Sequence, residues 1–269
     1  MGVEKLGFEG NALNYFEHRK LVSALKGVKL VALDKELSRL RLIKDPAEVA
    51  AIERAIRVAS EAFQSASGRI AAGVREKDIA MSIEIDSRRR GADGMSFDTI
   101  VASGFRGALP HGVASEKKIR AGELVVVDWG VNLGGYMSDE TQTVAVGSAG
   151  QKEREIYDLV KRAHDAAIES IRPGASLGEA DRIARSMISD AGYGKYFGHN
   201  LGHGVGLQIH EDPRVATQSN ELMEAGMVFT VEPGIYLPGW GGVRIESMVL
   251  VTPTGGRVMT ILDKDLKIL

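Results

Sequence analysis

The sequence contains no cysteine, which excludes disulfide bonds and thiolate chemistry and leaves oxygen and imidazole as ligands for any metal. It also lacks an apolar run approaching the roughly 18 residues needed to span a bilayer. Neither sign of charge is in excess, because 34 lysines and arginines balance 36 aspartates and glutamates. The resulting net charge of −2 gives no general attraction to nucleic acid or to an anionic membrane, so neither partner is expected.

The start of the chain, Met1–Gly7, lacks the apolar core of a signal peptide, and the default expectation is a cytoplasmic location. With 44% hydrophobic and 26% charged residues, the composition is that of an ordinary globular protein. A chain of 269 residues is long enough to bury a large core in one domain. We therefore expect an ordinary globular protein with one large core.

The most informative feature that is present is an internal duplication. Two apolar, strand-like runs, Ala121–Gly130 and Ala225–Gly234, share an Ala-Gly pair at their start and an acid two positions before a glycine. The acids are Asp128 and Glu232, which lie 104 residues apart, and helix-like stretches upstream align at an offset of 101 residues. Only two copies are present, so a solenoid is excluded. The repeat predicts an α/β (α+β) fold made of two helix-helix-strand-strand halves related by a pseudo-twofold axis.

Local signals predict the limits of these elements. Asp45, Pro46 and Glu48 have the spacing of a helix N-terminus with a capping box. Residues 41–269 are therefore expected to form the repeated domain, with residues 1–40 as a lead-in or the remnant of a preceding domain. Further expected helices are Glu9–Leu25, Glu76–Arg90, Glu153–Ile171 and Leu177–Ala191. Expected strands are Val28–Leu33, Thr99–Ser103, Leu124–Trp129, Thr141–Val146, Val228–Val231 and Arg244–Val251.

Each half carries a second acid shortly after the first, Asp139 in one half and Glu246 in the other. Acids within apolar strands are costly to bury without a partner. Two like charges about 4 Å apart repel by about 4 kcal/mol at an effective dielectric constant of about 20. Two divalent cations would cancel the charge of all four carboxylates. Oxygen-rich ligation favours Mn²⁺, with Co²⁺ or Zn²⁺ as alternatives.

Four of the six histidines lie in the same parts of the chain as the acids. The glycine-rich stretch Gly198–Gly206 contains two of them, and glycine allows the backbone to pass close to a ligand or to another strand. His18 and His164 have helix-like settings without such neighbours and are expected to be structural. The four histidines expected at the site are His111, His199, His203 and His210.

In this order and context, the acids and one histidine resemble the five metal ligands of the pita-bread metallopeptidases, family M24. The likeness covers about residues 40–265. The family includes methionine aminopeptidases, Xaa-Pro aminopeptidases and Xaa-Pro dipeptidases (prolidases). The segments Glu232–Tyr236 and Gly241–Glu246 resemble the proline-specific branch. Methionine aminopeptidases typically carry glutamine where Arg244 stands, and Ser247 replaces an acid often found after the last ligand. The five residues are Asp128, Asp139, His203, Glu232 and Glu246.

The resemblance implies an exopeptidase that hydrolyses the Xaa-Pro bond by attack of a hydroxide that bridges two divalent metal ions. Asp139 and Glu246 would bridge both ions. The substrate would be a peptide with proline at its second position, and a homodimer is compatible with the family. The implied catalytic residues are His111, His210 and Glu232, and the implied substrate-binding residues are His199, Arg244 and Tyr236.

Three other interpretations stay open at this point. A methionine aminopeptidase fits the short chain better than it fits the flanking motifs. A metal-free binding module of the same fold, or a metal-independent amidinohydrolase related to creatinase, is disfavoured because the complete ligand set is present. Proline-specific members usually carry an additional N-terminal domain, which only the first 40 residues or so resemble. Dipeptidase and aminopeptidase activity are not distinguished.

Overall fold

The computed structural model describes residues 2–269. The α-helices are α1 Tyr15–Ala24, α2 Asp34–Leu42, α3 Pro46–Ser67, α4 Glu76–Arg89, α5 Gln151–Glu169 and α6 Leu177–Asp190. The strands of the first half and its lead-in are β1 Lys5–Phe8, β2 Lys29–Ala32, β3 Gly94–Met95, β4 Ile100–Ser103, β5 Leu124–Trp129, β6 Val131–Leu133, β7 Tyr136–Met137 and β8 Glu140–Ala145. Those of the second half are β9 Gly202–Gly204, β10 Glu211–Val215, β11 Val228–Val231, β12 Gly234–Leu237, β13 Gly241–Arg244, β14 Ser247–Thr252 and β15 Gly255–Val258.

The long helix α3 begins where its sequence signals predict. The Asp45 side chain accepts hydrogen bonds from the amides of Ala47 and Glu48, and the Glu48 carboxylate accepts one from the Asp45 amide at 2.8 Å. This reciprocal arrangement satisfies amides that have no partner within the helix. The helix buries an apolar face that includes Ile52, so it packs as the amphipathic pattern indicates.

The two halves have equivalent sheets, which confirms the predicted duplication. In the first half, β5 is central and pairs antiparallel with both β4 and β8. In the second, β11 pairs antiparallel with both β9 and β14, within the strand order β10-β9-β11-β14-β15. The helix pairs α3–α4 and α5–α6 accompany their respective sheets, and each half has its own cluster of buried apolar side chains.

The structure corrects several of the predicted boundaries. The helix expected over Glu9–Leu25 begins only at Tyr15, because the Asn14 side chain caps it by accepting a hydrogen bond from the Glu17 amide. Strand β1 and helix α2 are present although no element was predicted there. The strand expected over Arg244–Val251 is split into β13 and β14, because the chain exchanges its partner strand from β12 to β11 at this point.

Residues that precede α3 contact the second half of the molecule. β1 and β2 form a two-stranded parallel sheet, and α2 packs against β10. The Ser38 hydroxyl donates a hydrogen bond to Asp212 at 2.6 Å, and the buried Lys44 pairs with Glu211 at 2.7 Å. A domain boundary at residue 40 stays a prediction. Within residues 2–269, none of the helices combines the length and apolar character needed to cross a membrane.

Candidate metal centre

The four acids occupy equivalent positions in the two halves. Asp128 is the penultimate residue of β5, and Glu232 directly follows β11. After each of these acids the chain forms a short hairpin, β6–β7 or β12–β13, and then returns to pair with the same central strand. Asp139 and Glu246 lie where the returning chain changes partner, between β7 and β8 and between β13 and β14. The fold thus brings the two carboxylates of each half to the same cavity.

His203 is brought to the acids by a close approach of backbones. It lies in β9 between Gly202 and Gly204, and a Cβ atom on either glycine would overlap the carbonyl oxygen of Thr230 or of Asp212. Only glycine permits this spacing. The glycine-rich sequence around His203 therefore allows β9 to pack tightly between β10 and β11.

The structure brings three of the five predicted ligands into direct proximity. Ligand atoms of Asp139, His203 and Glu246 lie within 4.8 Å of one another. The Nε2 atom of His203 is 3.6 Å from Asp139 Oδ2 and 3.5 Å from Glu232 Oε1. Its Nδ1 atom lies 3.1 Å from the carbonyl oxygen of Gly204, so Nδ1 is assigned the proton and Nε2 presents a lone pair. This is the orientation that a metal-binding imidazole requires.

Asp128 is held by the buried guanidinium of Arg244. The Arg244 Nη2 atom donates to Asp128 Oδ2 at 2.6 Å, and its other nitrogens donate to Thr141, Tyr236 and the carbonyl oxygen of Pro110. The second carboxylate oxygen, Asp128 Oδ1, is buried without a hydrogen-bond partner among the described residues. A buried carboxylate oxygen normally has a partner. A bound cation would supply the missing one.

The electrostatics of the site also require added positive charge. Burial, followed by the neighbouring carboxylates Glu246, Asp128 and Glu232, raises the pKa of Asp139 well above its ordinary value. Burial, followed by Glu232 and Asp128, does the same to the pKa of Glu246. Burial raises the pKa of Glu232 to about 8. These carboxyl groups cannot all ionise together in this setting unless cations bind, so the residues present fit divalent metal ions.

Three of the site histidines, His199, His203 and His210, have lowered pKa values that favour the neutral imidazole. Burial lowers the pKa of His203 to about 4 and that of His199 to about 4, and it also lowers the pKa of His210. The His210 ring packs on the His203 ring with centroids 4.2 Å apart. A neutral imidazole can bind a metal or donate one hydrogen bond without adding charge.

A cavity of about 740 Å³ opens onto this cluster. It contains every predicted site residue except Tyr236, whose hydroxyl lies 2.9 Å from both His199 Nε2 and Arg244 Nη1. Tyr236 thus lies behind two cavity residues. The predicted site residues that line the cavity are His111, Asp128, Asp139, His199, His203, His210, Glu232, Arg244 and Glu246.

The cavity wall also contains residues that sequence reasoning missed. Arg214 in β10 lies directly opposite His203 in β9, so both side chains emerge on the same face of the sheet. Arg214 is exposed and forms no salt bridge within residues 2–269. Glu9 and Arg41, which pair at 3.3 Å, come from the part of the chain that precedes α3. None of Arg214, Glu9 and Arg41 carries a local sequence signal that could have revealed it, because strand register and chain packing bring these residues to the cavity.

The two histidines predicted to be structural lie outside the cavity lining. His164 is buried on α5, where Nδ1 is 2.8 Å from Asp165 and Nε2 is 3.1 Å from the Ser247 hydroxyl. His18 packs against Phe8 with ring centroids 5.2 Å apart.

Metal binding is expected to depend on pH. Because the pKa of Glu232 is raised to about 8, its carboxyl group keeps a proton at neutral pH and must release it to bind a cation. Mn²⁺ affinity should therefore rise as the pH increases toward about 8, with release of protons. Titration calorimetry in buffers of different ionisation enthalpy measures both quantities. Affinity that is constant over this range, without proton release, would contradict the assignment.

The raised pKa of Glu232 also makes the stability of the metal-free protein depend on pH, in the direction opposite to metal affinity. Between the ordinary value of 4.5 and about 8, Glu232 is protonated in the folded chain and ionised in the unfolded chain. The folded state binds more protons, so its free energy of unfolding falls as the pH rises through this window. Thermal unfolding in the presence of a chelator tests this direction.

The chain is similar to known metallopeptidases. The model of metallopeptidase family M24 matches residues 50–253. The chain is 45% identical over 265 residues to an Xaa-Pro dipeptidase of Pyrococcus furiosus, covering 98% of this chain and 76% of that protein. The solved structure of an Xaa-Pro dipeptidase from Bacillus anthracis matches with a TM-score of 0.96 at 44% identity, covering 99% and 75% of the two chains. The X-Pro aminopeptidase from Thermotoga maritima matches with a TM-score of 0.94 at 36% identity, covering 99% and 76%.

The chain therefore belongs to metallopeptidase family M24, and its duplicated halves form the pita-bread fold. Within that family, its relatives include Xaa-Pro dipeptidases at 43% and 45% identity over nearly the whole chain. The family resemblance seen in the sequence is confirmed.

Proposed function

We propose that the protein is a dinuclear metal-dependent dipeptidase that hydrolyses the Xaa-Pro bond of dipeptides. The observation that carries this proposal is that the four acids and His203 line one cavity together with Arg214, which forms no salt bridge within residues 2–269. The names of the relatives support proline as the second residue. Assembly as a homodimer belongs to the same proposal.

The five predicted ligands are proposed to hold two divalent ions, of which Mn²⁺ suits the oxygen-rich set best. When bound, such ions polarise a carbonyl group and lower the pKa of water. The chain's own groups supply the remaining steps. His111 and His210 donate hydrogen bonds to the carbonyl oxygen as negative charge develops on it. Glu232, ionised once a cation is bound, would accept a proton from the attacking water and pass it to the leaving nitrogen.

The residues around this centre orient the substrate and the ligands. His199 is proposed to contribute to the pocket for the proline ring. Arg244 and Tyr236 act through their neighbours, because both are almost fully buried and their polar groups bond to protein atoms. Arg244 would fix Asp128, and Tyr236 would fix His199.

The chemistry of proline fits such a site. The amide nitrogen before proline carries no hydrogen, and the ring fixes the local backbone. A peptidase that reads a substrate amide N–H would reject this bond. Contacts made by imidazole groups around the carbonyl group do not need that hydrogen.

Arg214 favours dipeptides over longer peptides. A guanidinium forms two parallel hydrogen bonds with a carboxylate. In a dipeptide, a terminal carboxylate follows the proline directly, whereas a longer peptide places a neutral amide there. An unpaired arginine opposite His203 is therefore suited to bind the end of an Xaa-Pro substrate.

Substrate panels test this proposal directly. Met-Pro and Ala-Pro should be hydrolysed in the presence of Mn²⁺, and their C-terminal amides should be poor substrates. Arg214→Gln should raise KM for the dipeptides by about 10- to 100-fold, since a hydrogen bond to a charged group contributes about 1.5–3 kcal/mol. It should leave KM for the amides nearly unchanged.

Arg257→Gln is a matched control, because Arg257 is exposed, pairs with Glu53 and is not among the cavity-lining residues. Equal turnover of Met-Pro and its amide by the wild type would contradict the dipeptidase assignment. Cleavage of Met-Ala-Xaa peptides instead would indicate a methionine aminopeptidase. A chain that binds neither Mn²⁺, Co²⁺ nor Zn²⁺ would indicate a binding module.

A further inference from the structure

We infer that each half of the fold contains a buried carboxylate–arginine clamp that positions the histidine-bearing loop of that half. Glu76 on α4 holds the loop that carries His111, and Asp181 on α6 holds the loop that carries His199 and leads to His203. These are positioning residues for the reaction, and the inference rests on the proposed function for the roles of the histidines.

Glu76 is completely buried at the start of α4. Its Oε1 atom accepts hydrogen bonds from the amide and the hydroxyl of Ser103, both at 2.8 Å. Its Oε2 atom accepts from the amide of Ser115 at 3.1 Å and from its hydroxyl at 2.6 Å. Arg106 forms an ion pair with the same oxygen and donates to the carbonyl oxygen of Val113 at 2.9 Å.

These contacts close the loop at its base. Ser103 is the last residue of β4, where the loop begins, and Ser115 lies where the loop ends. The Glu76 carboxylate bonds to both residues and so holds the two ends of the loop together. His111 lies within this loop and lines the cavity. The position of the His111 imidazole therefore depends on Glu76, although Glu76 is not among the cavity-lining residues.

Asp181 has the same role in the second half. It is completely buried, and its two oxygens accept hydrogen bonds from Arg185 at 2.8 and 2.9 Å. Asp181 Oδ2 also accepts from the amide of Leu201 at 2.9 Å, and Oδ1 accepts from the Thr217 hydroxyl. Leu201 is two residues before the ligand His203.

Arg185 extends this clamp along the loop. Its guanidinium donates to the carbonyl oxygens of Phe197 at 2.9 Å and His199 at 2.8 Å. It also lies over the Phe197 ring, 4.2 Å from the centroid. The pair Asp181–Arg185 thus fixes the backbone at Phe197, His199 and Leu201.

Helix packing alone does not require these charged groups. A buried ion pair is weak support for stability, and apolar residues of similar volume often stabilise a fold equally well. In both halves, however, the carboxylate bonds to loop backbone amides that precede or flank a site histidine. Two independent occurrences of this arrangement point to control of loop position.

Glu76→Gln tests the first clamp, because the new NH₂ group would face N–H and O–H groups that now donate hydrogen bonds to the carboxylate. We expect kcat for Met-Pro to fall by about 10- to 100-fold, the usual cost of losing an outer-shell contact. KM and Mn²⁺ affinity should stay near the wild-type values. Hydrogen exchange should increase over residues 103–115 and not over 197–203. Asp78→Asn is the matched control, because Asp78 lies on the same helix as Glu76 and forms a partly exposed ion pair with Arg75.

Asp181→Asn tests the second clamp and should have a different signature. Mn²⁺ affinity should weaken by about 10-fold or more, because the backbone leading to His203 is released. KM should rise and hydrogen exchange should increase over residues 197–203. Asp190→Asn, on the same helix and exposed, is the matched control. If a carboxylate variant does not fold, Ser115→Ala and Arg185→Lys weaken each clamp while the carboxylate is retained.

The outcomes separate the clamps from the proposed function. Increased exchange confined to each loop, together with the two kinetic signatures, supports both. The expected exchange and Mn²⁺ affinity changes in a protein that does not hydrolyse Xaa-Pro peptides would support the clamps and reject the proposed function. Unchanged exchange, or equal effects of both variants on kcat, KM and Mn²⁺ affinity, would overturn the clamps even if the dipeptidase activity is present.

Discussion

Glu232→Gln is expected to reduce kcat for Met-Pro by at least about 100- to 1000-fold, comparable with the loss of a group that stabilises the transition state directly. The substitution preserves the shape of the side chain while it removes one metal ligand charge and the proposed proton carrier. Turnover of Xaa-Pro substrates at saturating Mn²⁺ is the measurement.

The same variant should be more stable than the wild type in the absence of metal. Glu232 lies 3.5 Å from His203 and contributes to the raised pKa values of Asp139 and Glu246. Removing one of several crowded carboxylates relieves repulsion and the cost of burial. Thermal unfolding with chelator present should therefore give a higher Tm, and added Mn²⁺ should raise it less than in the wild type.

Glu224→Gln provides the control for this experiment, because Glu224 is an exposed acid eight positions earlier in the chain. It should change neither activity nor metal-free stability appreciably. Full activity of Glu232→Gln at saturating Mn²⁺ would remove Glu232 from both proposed roles. Lost activity together with lower metal-free stability would instead indicate a general folding defect.

Arg244→Met is expected to cause the largest loss of stability, about 3–5 kcal/mol, as found when one partner of a buried ion pair is removed. Arg244 is 3% exposed and connects Asp128, Thr141 and Tyr236 with the carbonyl oxygen of Pro110. Without it, Asp128 keeps a buried charge that only protonation or a cation can neutralise. Urea unfolding of the metal-free protein measures the loss.

Bound metal should partly restore the stability of this variant. A divalent ion near Asp128 would replace some of the positive charge that Arg244 supplies, so the rise in Tm on adding Mn²⁺ should exceed that of the wild type. Arg244→Lys keeps the charge but lacks the planar group that serves several acceptors at once, and it should recover only part of the stability. A variant with unchanged metal-free stability would contradict the structural role of Arg244.

Much of the fold could be predicted because its elements have strong local patterns. Strands β5 and β11 have the predicted limits, since each is a short, largely apolar run that follows an Ala-Gly pair and ends next to an acid or a glycine. Helix α3 begins at its capping box. Helix α2 and strand β1 were missed, because short elements with mixed exposure have weak periodicity.

The duplication and the chemical identity of the acids and histidines can be read from residue order alone. Which of these groups meet depends on how the whole chain folds. Arg244 and Asp128 are 116 residues apart, and their 2.6 Å contact results from the antiparallel return of both halves to one place. Arg214, Glu76 and Asp181 also acquire their neighbours through strand register and loop closure. Such long-range contacts depend on packing of the whole chain, so local sequence patterns do not specify them.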